Sequence, residues 1–192
     1  SLGLLDLATR GRVRIHHRRA QDYLAARWLR DHVEDEGEII EILFRPVKDG
    51  HVLPAHLTRT AVWFCRLNQE AEAVLDRLIE AAPEQMLDEG DASAYPLEVK
   101  KRILDSYLSK VKGRRHEGLF YDPAGLRRFA TPEFGPHIKE LLEESQPGPG
   151  MRMLLELAQL GPMCACAEIA LAVALDREMP VPERAISIRA VA

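Results

Sequence analysis

The sequence predicts an all-α protein, an irregular α-solenoid of paired helices that follows a short extended stub at the N-terminus. Over most of the chain, apolar residues recur at three- and four-residue steps, which is the helical period. Proline and glycine separate these segments, and the alternating pattern of half-buried strands is almost absent. Paired helices without a β partner favour a solenoid, because each hairpin buries its apolar face against the next one.

The first elements are short. We expect a helix over Leu2 to Ala8, a turn at Gly11 and an extended stretch over Arg12 to Ile15, where charged and β-branched residues alternate. A helix is then predicted from Ala20 to Val33. Its large apolar residues are Tyr23, Leu24, Trp28, Leu29 and Val33. They spread around the helix circumference, so this helix is expected to have neighbours on several sides.

The central helices are bounded by proline. Pro54 is predicted to open a helix to about Leu67, and a second helix, ending before Pro83, completes a hairpin. Pro96 is predicted to open a long helix that ends at the Gly113 break. Thr131 is expected to cap, through its side chain, a helix that begins at Pro132 and ends near Glu144.

The last third, residues 148–192, is predicted to contain three helices separated by Gly161-Pro162 and by Pro180 and Pro182. Its most apolar run, Cys164 to Leu175, has about 12 residues, whereas a bilayer span needs about 20. This run therefore predicts a buried helix, and no membrane partner is expected.

Composition indicates an ordinary globular chain, with 192 residues, 46% apolar and 29% charged residues and a formal net charge of -4. The net charge argues against a general polyanion-binding protein. A local excess of arginine near the start is nevertheless a candidate anion site. It consists of Arg10, Arg12, Arg14, Arg18, Arg19, Arg27 and Arg30. Three cysteines are too few for a disulfide scaffold, which favours a reducing, cytoplasmic compartment.

The common catalytic and metal motifs are missing from the sequence. Neither a GxxxxGK[ST] phosphate loop nor a GxGxxG after a strand occurs, so we expect no hydrolysis and no catalytic residue. Cys164 and Cys166 are one residue apart, a spacing that does not suit tetrahedral zinc, and they are expected to be small buried side chains. No metal site is predicted.

Two further groups of polar residues are predicted to lie at ordinary surface positions. His51 and His56 flank Pro54 without an identifiable third ligand or carboxylate partner. The acidic cluster of Glu34, Asp35, Glu36 and Glu38 follows a helix C-terminus, where negative charge is unfavourable. It is interpreted as a solvated loop.

The stretch IHHRRAQDYLAARWL, residues 15–29, resembles the end of the winged-helix region in NACHT-type members of the STAND class of signalling NTPases. The matching positions are Ile15, His17, Gln21, Tyr23, Ala25 and Ala26. Two residues depart from the family pattern, since Ala20 stands in place of Phe and Asp22 in place of Glu. We expect Asp22 to keep negative charge near the first helical turn and Trp28 to replace the aromatic contact that Ala20 lacks.

The resemblance implies a role for the histidine. In that family it reaches the β-phosphate of bound ADP, so His17 is the expected nucleotide-sensing residue, with Arg18 and Arg19 as candidate anion contacts. ATP or ADP with Mg is expected for the full-length protein. Its phosphate loop and Mg-binding residues would lie upstream of Ser1, so this fragment itself is expected to hold no cofactor.

The C-terminal stretch carries a second resemblance. Residues 175–192, with Asp176 before the joint and Arg184 in the second helix, look like a HEAT-type repeat. The expected organisation is thus a winged-helix tail over residues 1–19 and a HEAT-like sensor arm over residues 20–192, truncated at its C-terminus.

The leading hypothesis is a non-catalytic regulatory segment of a STAND signalling protein, which couples recognition of a protein trigger to the nucleotide state of the upstream NTPase domain. A free-standing HEAT-like scaffold that binds a protein partner is the first alternative. A nucleic-acid-binding helical domain that uses the arginines is the second.

Overall fold

The computed structural model of the chain describes residues 5–8, 12–15, 17–48, 50–89, 92–111, 123–161 and 163–191. Within these ranges it contains eleven α-helices and two short antiparallel β-hairpins. The predicted all-α class is confirmed, and the solenoid arrangement stays a prediction. The helices are α1 Arg18–His32, α2 Glu36–Leu43, α3 Thr58–Leu67, α4 Glu72–Ala81, α5 Pro83–Asp88, α6 Leu97–Val111, α7 Pro123–Phe129, α8 Gly135–Glu144, α9 Pro149–Leu160, α10 Ala167–Leu175 and α11 Val181–Val191.

The chain divides into two compact units, unit 1 over Ser1–Gln85 and unit 2 over Met86–Ala192. The division falls inside α5, well beyond the boundary after residue 19 that the sequence suggested. The assignment of residues 1–19 to a winged-helix tail stays a prediction.

Unit 1 begins with a β-hairpin. Strands β1, Leu5–Ala8, and β2, Arg12–Ile15, pair antiparallel with Leu5 opposite Ile15. The extended stretch is confirmed, but the helix predicted over Leu2 to Ala8 is wrong from Leu5 onward. A helix this short gains few internal hydrogen bonds, whereas a strand pairs its backbone with β2. Residues 2–4 and the predicted turn at Gly11 lie outside the described residues.

Helix α1 packs on α3 through a single stripe of buried residues, Asp22, Ala26, Leu29 and Val33. They follow one another at three- and four-residue steps. Trp28 lies on the opposite side with 55% of its surface exposed. The expectation of neighbours on several sides of α1 is therefore wrong, and Trp28 does not replace the aromatic contact missing at Ala20.

The acidic cluster forms helix starts rather than a solvated loop. Asp35 is the N-cap of α2, and its Oδ1 accepts a hydrogen bond from the Gly37 amide at 2.9 Å. Glu36 reaches further and accepts from the Ala73 amide, also at 2.9 Å, in the first turn of α4. The predicted loop is correct for the exposed Glu34 and wrong for Glu36 and Glu38, because α2 begins only three residues after α1 and places these carboxylates at a positive helix end.

A second hairpin, which the sequence analysis missed, follows α2. Strands β3, Arg45–Val47, and β4, Gly50–Val52, pair antiparallel, and Gly50 adopts a φ of +131° that favours glycine. Pro54 then opens a turn that the Leu57 amide closes on its carbonyl at 2.8 Å. Helix α3 therefore begins at Thr58 rather than at Pro54. The hairpin that α3 and α4 were predicted to form is present.

Unit 2 is built around α9, which contacts α6, α7, α8 and α11. The start of α6 agrees with prediction. The start of α8 does not, because Pro132–Phe134 forms a 3-10 turn and Thr131 makes no side-chain cap. The Thr131 hydroxyl instead accepts a hydrogen bond at 3.2 Å from Lys100, which is buried and whose ammonium group needs acceptors.

The three helices predicted for the last third are present as α9, α10 and α11. The run from Cys164 to Leu175 is only partly buried, and Leu175 is 72% exposed. On α11, Val181 is 74% exposed and Ile188 is also exposed. We call the surface of these residues with Leu171 the α10–α11 face. The prediction of a buried helix holds only in part, because apolar residues lie on most sides of α10, whereas only Ala170, Val173 and Ala174 are buried.

In the part of the chain that the structure describes, no helix is both long enough and apolar enough to cross a bilayer.

Candidate anion site at the start of α1

His17 is the N-cap residue of α1. Its backbone is extended, with φ -90° and ψ 110°, and its carbonyl accepts from the amides of Ala20 at 3.0 Å and Gln21 at 3.1 Å. The helix thus begins two residues earlier than predicted. The exposed imidazole makes no cap hydrogen bond, so it can donate to a group outside the helix.

Arg18 and Arg19 form the first two positions of the helix. Both are exposed, and neither has an ion-pair or hydrogen-bond partner in the described part of the protein. Successive helical residues point about 100° apart, so the two guanidinium groups lie on different sides of the helix start. The backbone amides of these first positions have no partner within the helix either.

The charge at this helix end is electrostatically unfavourable. The first turn of α1 holds no acidic residue, while two arginines lie beside the positive end of the helix dipole. Each such cation costs on the order of 0.3–1 kcal/mol, and an anion at the same place would reverse the sign. The start of α1 therefore combines imidazole, guanidinium and backbone donors that suit a phosphate or another anion.

The remaining arginines of the cluster are arranged differently. Arg30 and Arg27 both pair with Asp31, at 2.7 Å and 3.5 Å. The hydrogen bond from Arg30, together with the charges of both arginines, lowers the pKa of the Asp31 carboxyl. Arg10 lies outside the described residues, and only the backbone of Arg12 and Arg14 is described. Unpaired positive charge among the described members of the cluster is thus confined to Arg18 and Arg19.

Asp22 does not take the position expected of it. It lies in the second turn of α1, on the buried side that faces α3, and its Oδ2 has no hydrogen-bond partner. The carboxylate therefore does not compensate the dipole at the helix start. The match of Asp22 to the acidic position of the family pattern could not show this. Whether Asp22 is buried depends on the residue at which α1 begins and on the packing of α1 against α3.

Two polar groups in cavities were missed by the sequence analysis. His51 is half-buried, its Nδ1 has no partner, and it lines a cavity of about 320 Å³ together with Thr58 and Glu84. Its assignment as an ordinary surface residue is wrong, whereas His56 is exposed as predicted. Arg152 lines a larger cavity in unit 2. Each cavity joins residues far apart in sequence, which spacing alone cannot reveal.

The cysteines are all free, and the two in the CxC pair differ. Cys164 is exposed and Cys166 is buried, so the expectation that both are buried holds only for Cys166. Burial raises the pKa of the Cys166 thiol to about 11 and that of Cys65 to about 12. No group of three or more potential metal ligands occurs within the described ranges.

No family model matches this sequence, and neither a curated protein nor a solved structure matches it significantly.

Proposed function

We propose that this chain is a non-catalytic regulatory segment of a cytoplasmic, NACHT-like STAND NTPase. In this proposal the start of α1 senses the phosphates of bound nucleotide and the helices that follow recognise a protein trigger. One observation carries the proposal. The residues that match the family motif form a helix start where the side chains of His17, Arg18 and Arg19 have no partner among the described residues and the first turn holds no acidic residue.

The coupling would pass through α1. Its buried stripe packs on α3, so a displacement of the helix start would be transmitted to α3 as a movement of packed elements. A phosphate held by His17 would stabilise one position of α1, and loss of that contact would release it. ATP or ADP with Mg would be bound by the NTPase domain upstream.

The direct test uses the full-length protein that carries this segment. His17→Ala is expected to weaken ADP retention by about 10- to 100-fold, the value of one hydrogen bond to a charged group. The measurement is the rate at which ADP leaves the purified protein. His56→Ala, an exposed histidine in the same unit, is the matched control and should change nothing. Equal ADP retention in the His17→Ala variant and the parent would contradict the proposal.

The absence of catalysis is tested on the chain itself. The purified 192-residue chain is expected to hydrolyse no ATP above the buffer rate in the presence of Mg, because it contains no phosphate-binding loop. Sustained turnover that follows the protein through purification would overturn the non-catalytic assignment.

The α10–α11 face favours a second candidate, a helical scaffold that binds a protein partner. It exposes large apolar side chains, among them Leu175 and Val181, and such surfaces often mark interaction sites. The two candidates predict different results. A scaffold would lose partner binding on Leu175→Asp and keep nucleotide retention on His17→Ala, whereas a nucleotide sensor would lose retention on His17→Ala.

A further inference from the structure

A cavity of about 670 Å³ opens in unit 2 between the C-terminal ends of α6 and α8 and the start of α9. Its volume lies in the range of small-molecule sites, about 300–1,000 Å³. The segment of residues 145–150, which joins α8 to α9, forms part of the wall. The cavity is therefore framed by one helix C-terminus and one helix N-terminus that are adjacent in the chain.

The α9 side of the cavity is positive. Helix α9 begins after Gly148, which has a φ of +152°, and no side chain caps it. Its first turn holds no acidic residue, and the amides of Gly150 and Met151 have no hydrogen-bond partner among the described residues. Arg152 follows directly and also lines the cavity.

Arg152 lies beside a buried carboxylate. Its Nε lies 3.4 Å from Oε1 of Glu183, and only 2% of the Glu183 surface is exposed. The terminal nitrogens of Arg152 have no protein partner in the described part of unit 2. The Nε makes no hydrogen bond to the described residues, so Glu183 attracts the guanidinium through its charge and the outer nitrogens are left for a ligand.

The α8 side of the cavity is negative. Helix α8 ends at Glu144, its last turn holds no basic residue, and its terminal carbonyls are the negative end of the helix dipole. Glu144 is exposed and has no ion-pair partner among the described residues. Asp105 also lines the cavity, although its Oδ1 lies 3.3 Å from Nε2 of His137.

Between these charged sides the walls are apolar. Leu108 and Val111 of α6, Leu141 of α8 and Met151 of α9 line the cavity. All four side chains are buried or half-buried, so the cavity offers apolar surface beside one unpaired arginine edge and one unpaired carboxylate.

We propose that this cavity binds a zwitterionic ligand with apolar side chains, in chemical class an amino acid or short peptide with free amino and carboxyl groups. The carboxylate would accept from Arg152 and the amides at the start of α9, and the ammonium would donate to Glu144. A purely anionic ligand would leave Glu144 without a cationic partner, and a purely cationic one would leave the outer guanidinium nitrogens of Arg152 without an acceptor. This inference stands independently of nucleotide sensing at α1.

The test is a calorimetric titration of the chain with the dipeptide Leu-Leu and with its two singly blocked forms. N-acetyl-Leu-Leu keeps only the negative charge, and Leu-Leu amide keeps only the positive charge. Each blocked form is expected to bind at least about tenfold more weakly, since each loses one charged hydrogen-bonding group. A blocked form that binds as tightly as Leu-Leu, or no binding of Leu-Leu at millimolar concentration, would overturn the proposal.

Variants locate the site. Glu144→Gln should remove most of the preference for Leu-Leu over its acetylated form, whereas Glu143→Gln, the neighbouring exposed carboxylate, should keep that preference. Ser109→Trp places a large side chain in the cavity wall and should abolish binding without a change of charge. Circular dichroism of each variant verifies its fold, and unchanged binding in folded Ser109→Trp would exclude this cavity.

Discussion

At the scale of single residues, buried charge in unit 2 is compensated by specific partners. Lys100 donates to the Thr131 hydroxyl and lies 5.7 Å from the centre of the Phe129 ring. Glu183 faces Arg152 through one oxygen, while its Oε2 has no hydrogen-bond partner. A carboxylate in this position depends strongly on its single cation, because dehydration has already removed its water.

Arg152→Ala is therefore expected to lower the free energy of unfolding by about 1–3 kcal/mol, the cost of leaving a buried carboxylate without its cation. Urea denaturation followed by circular dichroism measures it. The exposed Arg177 provides a control, and Arg177→Ala should have no measurable effect. Replacing both partners, with Arg152→Met and Glu183→Leu, should recover most of the loss. An Arg152→Ala variant as stable as the parent would show that the pair does not stabilise unit 2.

The buried thiols predict a loss of stability at alkaline pH. Burial raises the pKa of Cys65 to about 12, against an ordinary value of 9.0. As the pH rises above 9, the unfolded chain releases this proton first, so the unfolded state is favoured. The contribution of the buried neutral thiol to the free energy of unfolding is fully present below about pH 9. It falls by about 1.4 kcal/mol per pH unit per thiol as the pH approaches 12.

The measurement compares urea midpoints at pH 8 and pH 10.5 in the parent and in Cys65→Ala. The parent should lose more stability than the variant over this interval, because only the parent carries the buried thiol. Parallel pH dependence in the two proteins would show that Cys65 ionises as easily in the folded chain as in the unfolded one.

At the scale of elements, helix starts differ in how their amides are satisfied. Helix α2 has Asp35 as its cap, and α4 receives Glu36 from α2 across 37 positions of sequence. Helices α1, α3, α8 and α9 have neither a side-chain cap nor an acid in the first turn. Two of these four uncapped starts, those of α1 and α9, lie at the candidate anion site and at the unit 2 cavity, where a ligand could satisfy their amides.

Asp35→Ala should lower the free energy of unfolding by about 1 kcal/mol, the usual value of an N-cap. Thermal denaturation of the two variants measures the effect against Glu34→Ala, which removes a neighbouring exposed carboxylate that caps nothing. If the two substitutions shift the midpoint equally, general charge rather than capping accounts for the change.

Several elements bounded by proline or glycine could be predicted from sequence, although α3 and α8 begin later than Pro54 and Pro132 suggested, and elements that depend on a partner could not be predicted. The limits of α4, α6 and α9 follow from apolar periodicity and from Pro83, Pro96 and Gly161. By contrast, β1 and the β3–β4 hairpin consist of three- or four-residue strands whose conformation depends on pairing. Helical period alone does not distinguish such strands from a helix turn.

At the scale of the whole molecule, the chain contains two compact units, each with its own buried core. In unit 2 this core centres on α9. It includes Ile103, Leu104, Phe129, Phe134, Leu154 and Leu155. A contiguous core of this kind allows folding without the rest of the chain.

The fragment of residues 83–192, which keeps α5 whole, is expected to fold alone and to show one cooperative thermal transition by circular dichroism. A shorter fragment, residues 97–192, should be less stable because it lacks Met86, Leu87, Ala92 and Tyr95, all of which are buried. A non-cooperative melt of the longer fragment would show that unit 2 depends on unit 1.

The two candidate sites differ in how far sequence could predict them. The site at α1 could be found, because His17, Arg18 and Arg19 are consecutive and a helix boundary is visible in the pattern. The cavity in unit 2 joins Leu108, Glu144 and Arg152 from three helices. Its charge pattern exists only after these helices pack, so no local motif indicates it.

The position of the two tryptophans has a spectroscopic consequence. Trp28 on α1 and Trp63 on α3, which packs edge-on against Tyr23, both belong to unit 1, and the chain has no other tryptophan. Fluorescence excited at the red edge of indole absorption therefore reports on one half of the protein, whereas far-ultraviolet ellipticity reports on the helices of both. When both signals are recorded on one sample without added labels, their transition temperatures show whether unit 1 and unit 2 unfold together or in succession.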